Sequence, residues 1–260
     1  MNIDKSDYYP QSNLDDDFEE EILVISDIPE AQPGPPAAPE PPRFNGGKEF
    51  HDDTPAESSV TIASNLLSWI LVPMLMPVYG IILGFGLTIL TYTAFGVKLA
   101  FTAITFGFNV MVPGIIVVLL KKFGYIKDIG LNNREERFVP FIICIVCLIG
   151  TALFMSYKGA PQWLVMFFMG GAAAGIVEVI INRWWKISVH SAGIAGIVAM
   201  ILHLMIYDYT VPSALLWLMI SISCAGLLGA ARIWLGRHTL WQVMAGYAVG
   251  FCAVFFIMFA

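Results

Sequence analysis

Ala231-Arg232-Ile233-Trp234-Leu235-Gly236-Arg237-His238-Thr239-Leu240-Trp241-Gln242 sets two guanidiniums and an imidazole between two long apolar runs. An ionisable side chain near the middle of a bilayer costs roughly 3 kcal/mol or more, so these groups belong at a membrane interface or around a polar cavity. For Arg237 alone, snorkelling from a helix end is an equal alternative. The ordered set of Arg232, His238 and Gln242 asks for more than that. The flanking runs fix the class: 57% of the 260 residues are hydrophobic and the mean hydropathy is +0.73, which excludes a soluble domain and predicts an all-α, polytopic membrane bundle.

Working outward, apolar segments of spanning length fall at about 62–92, 99–120, 138–156, 162–181, 191–206, 213–229 and 240–259. The first contains Pro73 and Pro77 and exceeds what one span needs, so it is expected to be kinked, tilted or partly re-entrant. Six to seven transmembrane helices follow, within a membrane domain covering 61–260. Residues 1–60 are different in kind. They hold 15 of the 20 carboxylates against Lys5, Arg43 and Lys48, and nine of the 15 prolines. Such a stretch buries too little apolar surface to offset its ordering entropy and is expected to be a disordered, acidic, proline-rich tail. Its apolar island Glu21-Ile22-Leu23-Val24-Ile25-Ser26 reads as part of a tether, with docking on a protein partner as the alternative. No cleavable signal peptide is visible in it. Cys144, Cys147, Cys224 and Cys252 all lie in predicted spans and read as small packing residues, the Cys144/Cys147 pair included.

Removing the tail reverses the charge: the remaining 200 residues carry 11 basic and five acidic groups. An anionic lipid is a more natural partner for such a domain than nucleic acid. If all seven segments cross, the connections at 121–137, 182–190 and 230–239 share one membrane face. That face holds Lys121, Lys122, Lys127, Arg134, Arg137, Arg183, Lys186, Arg232, Arg237, His190 and His238, while the other holds only Lys98 and Lys158. The positive-inside rule makes the basic face cytoplasmic. If the cations serve phosphate instead, they report chemistry and leave the orientation open.

Phosphoryl transfer needs, above all, neutralisation of the charge on the equatorial oxygens. Arginine forks suit that geometry, and Arg232, Arg183, Lys186, Arg134 and Arg137 supply donors. A nucleophile and a proton donor must then stand on opposite sides of phosphorus, which His190 and His238 can do. His203 lies 13 residues past His190 with no cation near it in sequence, and reads as a packing or helix-bridging residue. A zinc site from His190, His238 and Glu178 has no compact ligand spacing, so no metal is expected.

Three clusters carry a family resemblance: Lys127 to Pro140, Arg183-Trp184-Trp185-Lys186-Ile187-Ser188-Val189-His190-Ser191-Ala192-Gly193, and the opening stretch. Together they resemble the signature of the type 2 phosphatidic acid phosphatase superfamily, KxxxxxxRP, PSGH and SRxxxxxHxxxD. The third matches best, with Ala231 where the family has serine and Gln242 where it has aspartate. The second resembles a divergent bacterial membrane branch with WKISxHxxG. In the first, Lys127 and Arg134 have the family spacing but proline follows Arg137 by three. The resemblance covers roughly residues 60–260.

It implies a metal-independent, cofactor-free membrane phosphatase or phosphotransferase of the bacterial inner membrane, acting on a lipid phosphate or isoprenyl pyrophosphate. His238 would form a phosphohistidine, and His190 would protonate the leaving oxygen and then help activate water. Arg232 would be the clearest phosphate ligand, with Lys186, Arg183, Lys127, Arg134, Arg137, Ser191 and Gly193 around it. Gln242 can fix the tautomer of the nucleophile but offers no charge. Glu178, about one turn below the basic face, is the candidate to replace the missing carboxylate, with an ion pair to Arg183 or Lys186 as its alternative role. The competing reading is a catalytically weak or inactive member serving in lipid binding, transport or scaffolding.

Overall fold

The computed structural model describes residues 59–127, 135–207 and 212–260. The tail and its apolar island, Arg134 and Asp208 lie outside the described residues. Among those described there are nine α-helices and no strand: α1 (Ser59–Ile70), α2 (Met76–Leu87), α3 (Phe95–Phe106), α4 (Val112–Lys122), α5 (Phe138–Tyr157), α6 (Gln162–Asn182), α7 (Val189–Ile206), α8 (Ala214–Trp234) and α9 (Leu240–Ile257). Seven helical segments are long and apolar enough to cross a membrane. Helices are what such a composition permits, because lipid leaves backbone N–H and C=O groups no partner outside the segment. The chain is an integral, multi-pass membrane protein.

Two of the seven segments are interrupted, each at proline. The first, Ser59–Leu87, breaks after α1. Val72 is extended at φ −65°, ψ 140°, as expected of a residue before proline, and a short 3-10 turn over Pro73–Leu75 leads into α2. The expected kink is thus a full break. The second carries a π turn at Gly107–Met111 between α3 and α4. Pro113 has no N–H for the Asn109 carbonyl and its ring would crowd it, and the wider turn relieves both. Asn109 fills the turn from inside, donating to the Thr105 carbonyl at 3.0 Å and to Thr151 Oγ1 of α5 at 2.8 Å.

Helix α7 is the axis of the bundle: Ala199, Met200, Ile201 and Leu204 are completely buried. It lies against α9 at backbone contact. A methyl at Gly250 would run into the Ala192 carbonyl, and one at Gly246 into the Ser188 carbonyl. Two glycines four residues apart let the helices approach this closely. On its other flank α9 meets α6, where a Cβ at Gly170 would lie 2.7 Å from Val254 Cα. This packing brings the N-termini of α7 and α9 side by side at one end of the bundle.

Candidate functional site

Each of the two adjoining N-termini is capped by its own side chains. Ser188 Oγ accepts from the Ser191 N–H at 3.4 Å and lies 2.9 Å from Ser191 Oγ, which starts α7 and sets His190 in its first turn. Thr239 and Gln242 form a reciprocal capping box at the start of α9. The Ser188 N–H donates to the Gln242 carbonyl at 3.2 Å, so the two caps are joined directly. Their paired dipole ends add partial positive charge to the site.

The approach of Arg232 to His238 follows from how α8 ends. Gly236 takes the left-handed conformation at φ 63°, and the N–H groups of Arg237 and His238 both donate to the Arg232 carbonyl, at 3.1 and 3.3 Å. The chain folds back by one turn. The spacing from Arg232 to His238 is therefore the geometry of a helix terminus that returns its next side chains to the last turn.

His238 is only 6% exposed. Its Nδ1 lies 3.1 Å from Gln242 Oε1, and the Thr239 N–H donates to the same oxygen at 3.3 Å. A backbone N–H can only donate, so that atom is the amide oxygen and His238 Nδ1 must carry the hydrogen. Nε2 is left with its lone pair. Burial, and then the positive charge of Arg232, Arg137 and Lys186, hold the ring's pKa down at about 3, against a weaker opposing effect of the Gln242 hydrogen bond. His238 is a neutral, oriented imidazole.

Cations surround both rings. His190 interacts electrostatically with Arg232 and Arg137, and its ring lies close to the Ser68 backbone. Arg137 is 6% exposed and places Nη1 3.4 Å from the Ile187 carbonyl. Burial first, then Arg137, Arg232 and Arg237, lowers the pKa of the half-buried Lys186. Arg232 Nε is buried with no hydrogen-bond partner. No protein-family model, curated protein or solved structure matches this chain. The functional reading rests on these residues.

Arg137, Lys186, Arg232, His190, His238 and Gln242 thus come together, joined by Arg237, whose pull towards the cluster the sequence left balanced against snorkelling. Several expected members stand elsewhere. Glu178 is buried, but its electrostatic partners are Arg137 and Cys144, with neither Arg183 nor Lys186 among them, and it does not act on His238. The orienting position belongs to Gln242 itself. Arg183 is exposed and lines a cavity of about 550 Å³ with Glu135, Phe138 and Trp184 on the outer flank of α5 and α6. Lys127 is exposed, its N–H bonded to Glu136 at 2.9 Å, and acts on neither ring.

Ser191 is fully buried and its hydroxyl is engaged by Ser188. Gly193 makes room for the Met76 side chain, whose Cγ a Cβ would meet at 2.8 Å. In the structure both serve the capping and packing of α7. Among the described residues no three His, Cys, Asp or Glu side chains gather as a metal ion needs.

Proposed function

We propose that this end of the bundle binds a phosphate group and transfers it, making the protein a membrane phosphatase or phosphotransferase for a lipid phosphate or isoprenyl pyrophosphate. One observation carries the reading: Arg137, Lys186, Arg232 and Arg237 gather around two imidazoles, Lys186 and Arg232 each under the charge of their cationic neighbours, while Glu178 acts on Arg137. Mutually repelling, partly buried cations are destabilising unless an anion completes them. A phosphate monoester or diphosphate brings about one to three negative charges according to its protonation, and arginine forks match its oxygens.

His238 Nε2 attacks phosphorus with its free lone pair while the bond to the ester oxygen breaks. Nδ1–H, held by Gln242, stays on the ring, so the phosphohistidine forms without a prior deprotonation of the nucleophile. His190, close to the Ser68 backbone, serves for proton exchange. It passes a proton, brought in by the substrate's own phosphate, to the leaving oxygen, then accepts one from the water that cleaves the P–N bond. The products are the lipid alcohol, or monophosphate, and inorganic phosphate. The family resemblance points the same way and extends the proposal to a bacterial inner membrane.

One feature favours a second reading, a weak or inactive lipid-binding member: Gln242 orients the ring but cannot stabilise a positive imidazolium as a carboxylate does. A single assay separates the two. Full-length protein in detergent with EDTA, given phosphatidic acid or farnesyl diphosphate, is expected to release phosphate, and His238→Ala to abolish release while the protein stays folded. No release across both substrates supports the inactive reading, and release untouched by His238→Ala removes the mechanism.

A further inference from the structure

Helix α1 is amphipathic in an unusual sense for this chain. Its buried residues are Ser64 and Ser68, while Ile62, Leu66, Trp69 and Ile70 are exposed. Twelve residues make it about 18 Å long. Near its start Thr61 Oγ1 accepts from Trp234 Nε1 at 3.4 Å, at the site end of α8. Near its other end Ser68 meets the His190 ring at the site end of α7, and the Ile70 carbonyl accepts from Tyr79 Oη at 2.7 Å. Breaking at Val72 and Pro73 lets α1 leave the path of α2 and bridge the cationic ends of α7 and α8, polar side inward.

Ser68 is the odd member of this face. Elsewhere Thr88, Thr105, Thr151 and Ser223 each return their hydroxyl to the carbonyl four residues earlier. That is the usual way for a helical hydroxyl in lipid to find a partner. Ser68 does not: it is 7% exposed, and its Oγ is buried with no hydrogen-bond partner. At the site end of α8, Arg232 Nε is in the same state. Buried hydroxyls without a partner are rare, and a site that expects a ligand is one recognised cause.

We infer that α1 completes the phosphate site, with the Ser68 hydroxyl donating a hydrogen bond to an oxygen of the bound phosphate group beside Arg232 and His190. This rests on the phosphate reading of the preceding subsection and adds a ligand from a helix outside the three clusters. A neutral donor strengthens the grip without enlarging the cation repulsion of the empty site. Because α1 carries its apolar side outward, it keeps lipid beside the headgroup it helps to hold. The ligand is then a phosphate monoester or diphosphate on a hydrophobic chain.

The test measures binding and stability together on the full chain in lipid nanodiscs, with inorganic phosphate and with phosphatidic acid as probes. Ser68→Ala is expected to weaken both ligands about tenfold, the usual effect of removing one hydrogen bond to a charged group, and to raise KM more than it lowers kcat. Its melting temperature is expected to be unchanged or higher, since the lost hydroxyl has no partner in the empty protein. A lower melting temperature with unchanged affinity would show a structural role and overturn the inference. Arg232→Ala separates the two levels of the argument. If it abolishes binding while Ser68→Ala leaves affinity within about twofold, the added ligand is wrong and the phosphate site stands. If the unsubstituted protein binds neither probe, the site reading and the inference fall together. Weakening of phosphatidic acid alone would place Ser68 against the lipid and not the phosphate, and would equally overturn it.

Discussion

The two ends of the bundle both hold histidine, and the company it keeps differs. At one end His190 and His238 stand among Arg137, Lys186 and Arg232, at the N-termini of α7 and α9. At the other, His203 is 3% exposed and packed among rings, with centroids 4.8 Å from Tyr207, 4.8 Å from Phe259 and 6.4 Å from Phe255. Both ends are buried and both join α7 to α9. On the proposed reading, neighbouring charge and a fixed tautomer equip an imidazole in a membrane bundle for chemistry, while aromatic neighbours make it a packing element.

The widest separation between the two ends is expected from alanine substitution. His238→Ala should lower phosphate release by roughly 10³-fold or more, as loss of a nucleophile does, far more than its effect on stability accounts for. His203→Ala should leave kcat unchanged and reduce stability by about 1–3 kcal/mol, in line with a lost buried side chain. Steady-state kinetics and thermal unfolding check both, and equal effects at the two ends would erase the distinction.

Within the cationic end, Arg232→Ala is expected to lower kcat/KM roughly 10²-fold, the scale of losing one preorganised charge donor. Glu178→Gln should act differently. Its partner is Arg137, so stability should fall more than turnover, and the pH profile of kcat should not move. A profile displaced by that substitution would return Glu178 to the catalytic role that the sequence offered it.

A smaller effect is expected at the cap of α9. Gln242→Ala removes both the tautomer lock and the capping box, and should cost about 1 kcal/mol in stability with about tenfold in rate if orientation is its main service. Gln242→Asp restores a charge and should raise the His238 pKa, read by NMR of the ring.

A separate signal is expected in acid. The folded protein holds His238 near pKa 3, below the ordinary value of about 6.5 in the unfolded chain. The unfolded state therefore binds the extra proton, so the contribution of this ring is complete above pH 6.5 and is lost as pH falls from there towards 3. Unfolding midpoints of the unsubstituted protein should decline more steeply over that window than those of His238→Gln.

The spans and the basic face were legible in sequence because length, hydropathy and short connections leave little freedom. Arg232 and His238 were legible because their spacing is a local property of one helix terminus. Arg183 was not, for a helical reason. Helix α6 is apolar on all sides, so its composition does not say which side faces the site, and residues five apart lie about 140° apart around the axis. Once Glu178 is buried beside Arg137, Arg183 points away. Ser68 escaped notice because its place depends on the break at Val72, which carries α1 to helices more than a hundred residues further along. Ser191 and Gly193 have the right composition for a phosphate loop, but the close approach of α7 to its neighbours claims both.

The account turns on His238 Nε2 as the atom that takes the phosphoryl group. Protein incubated briefly with ³²P-labelled lipid phosphate and quenched in alkali should carry an acid-labile, base-stable label that maps to His238, is absent from His238→Ala and accumulates in a His190 variant slowed in hydrolysis. Turnover with no such label in any of these proteins, or label on another residue, would contradict it.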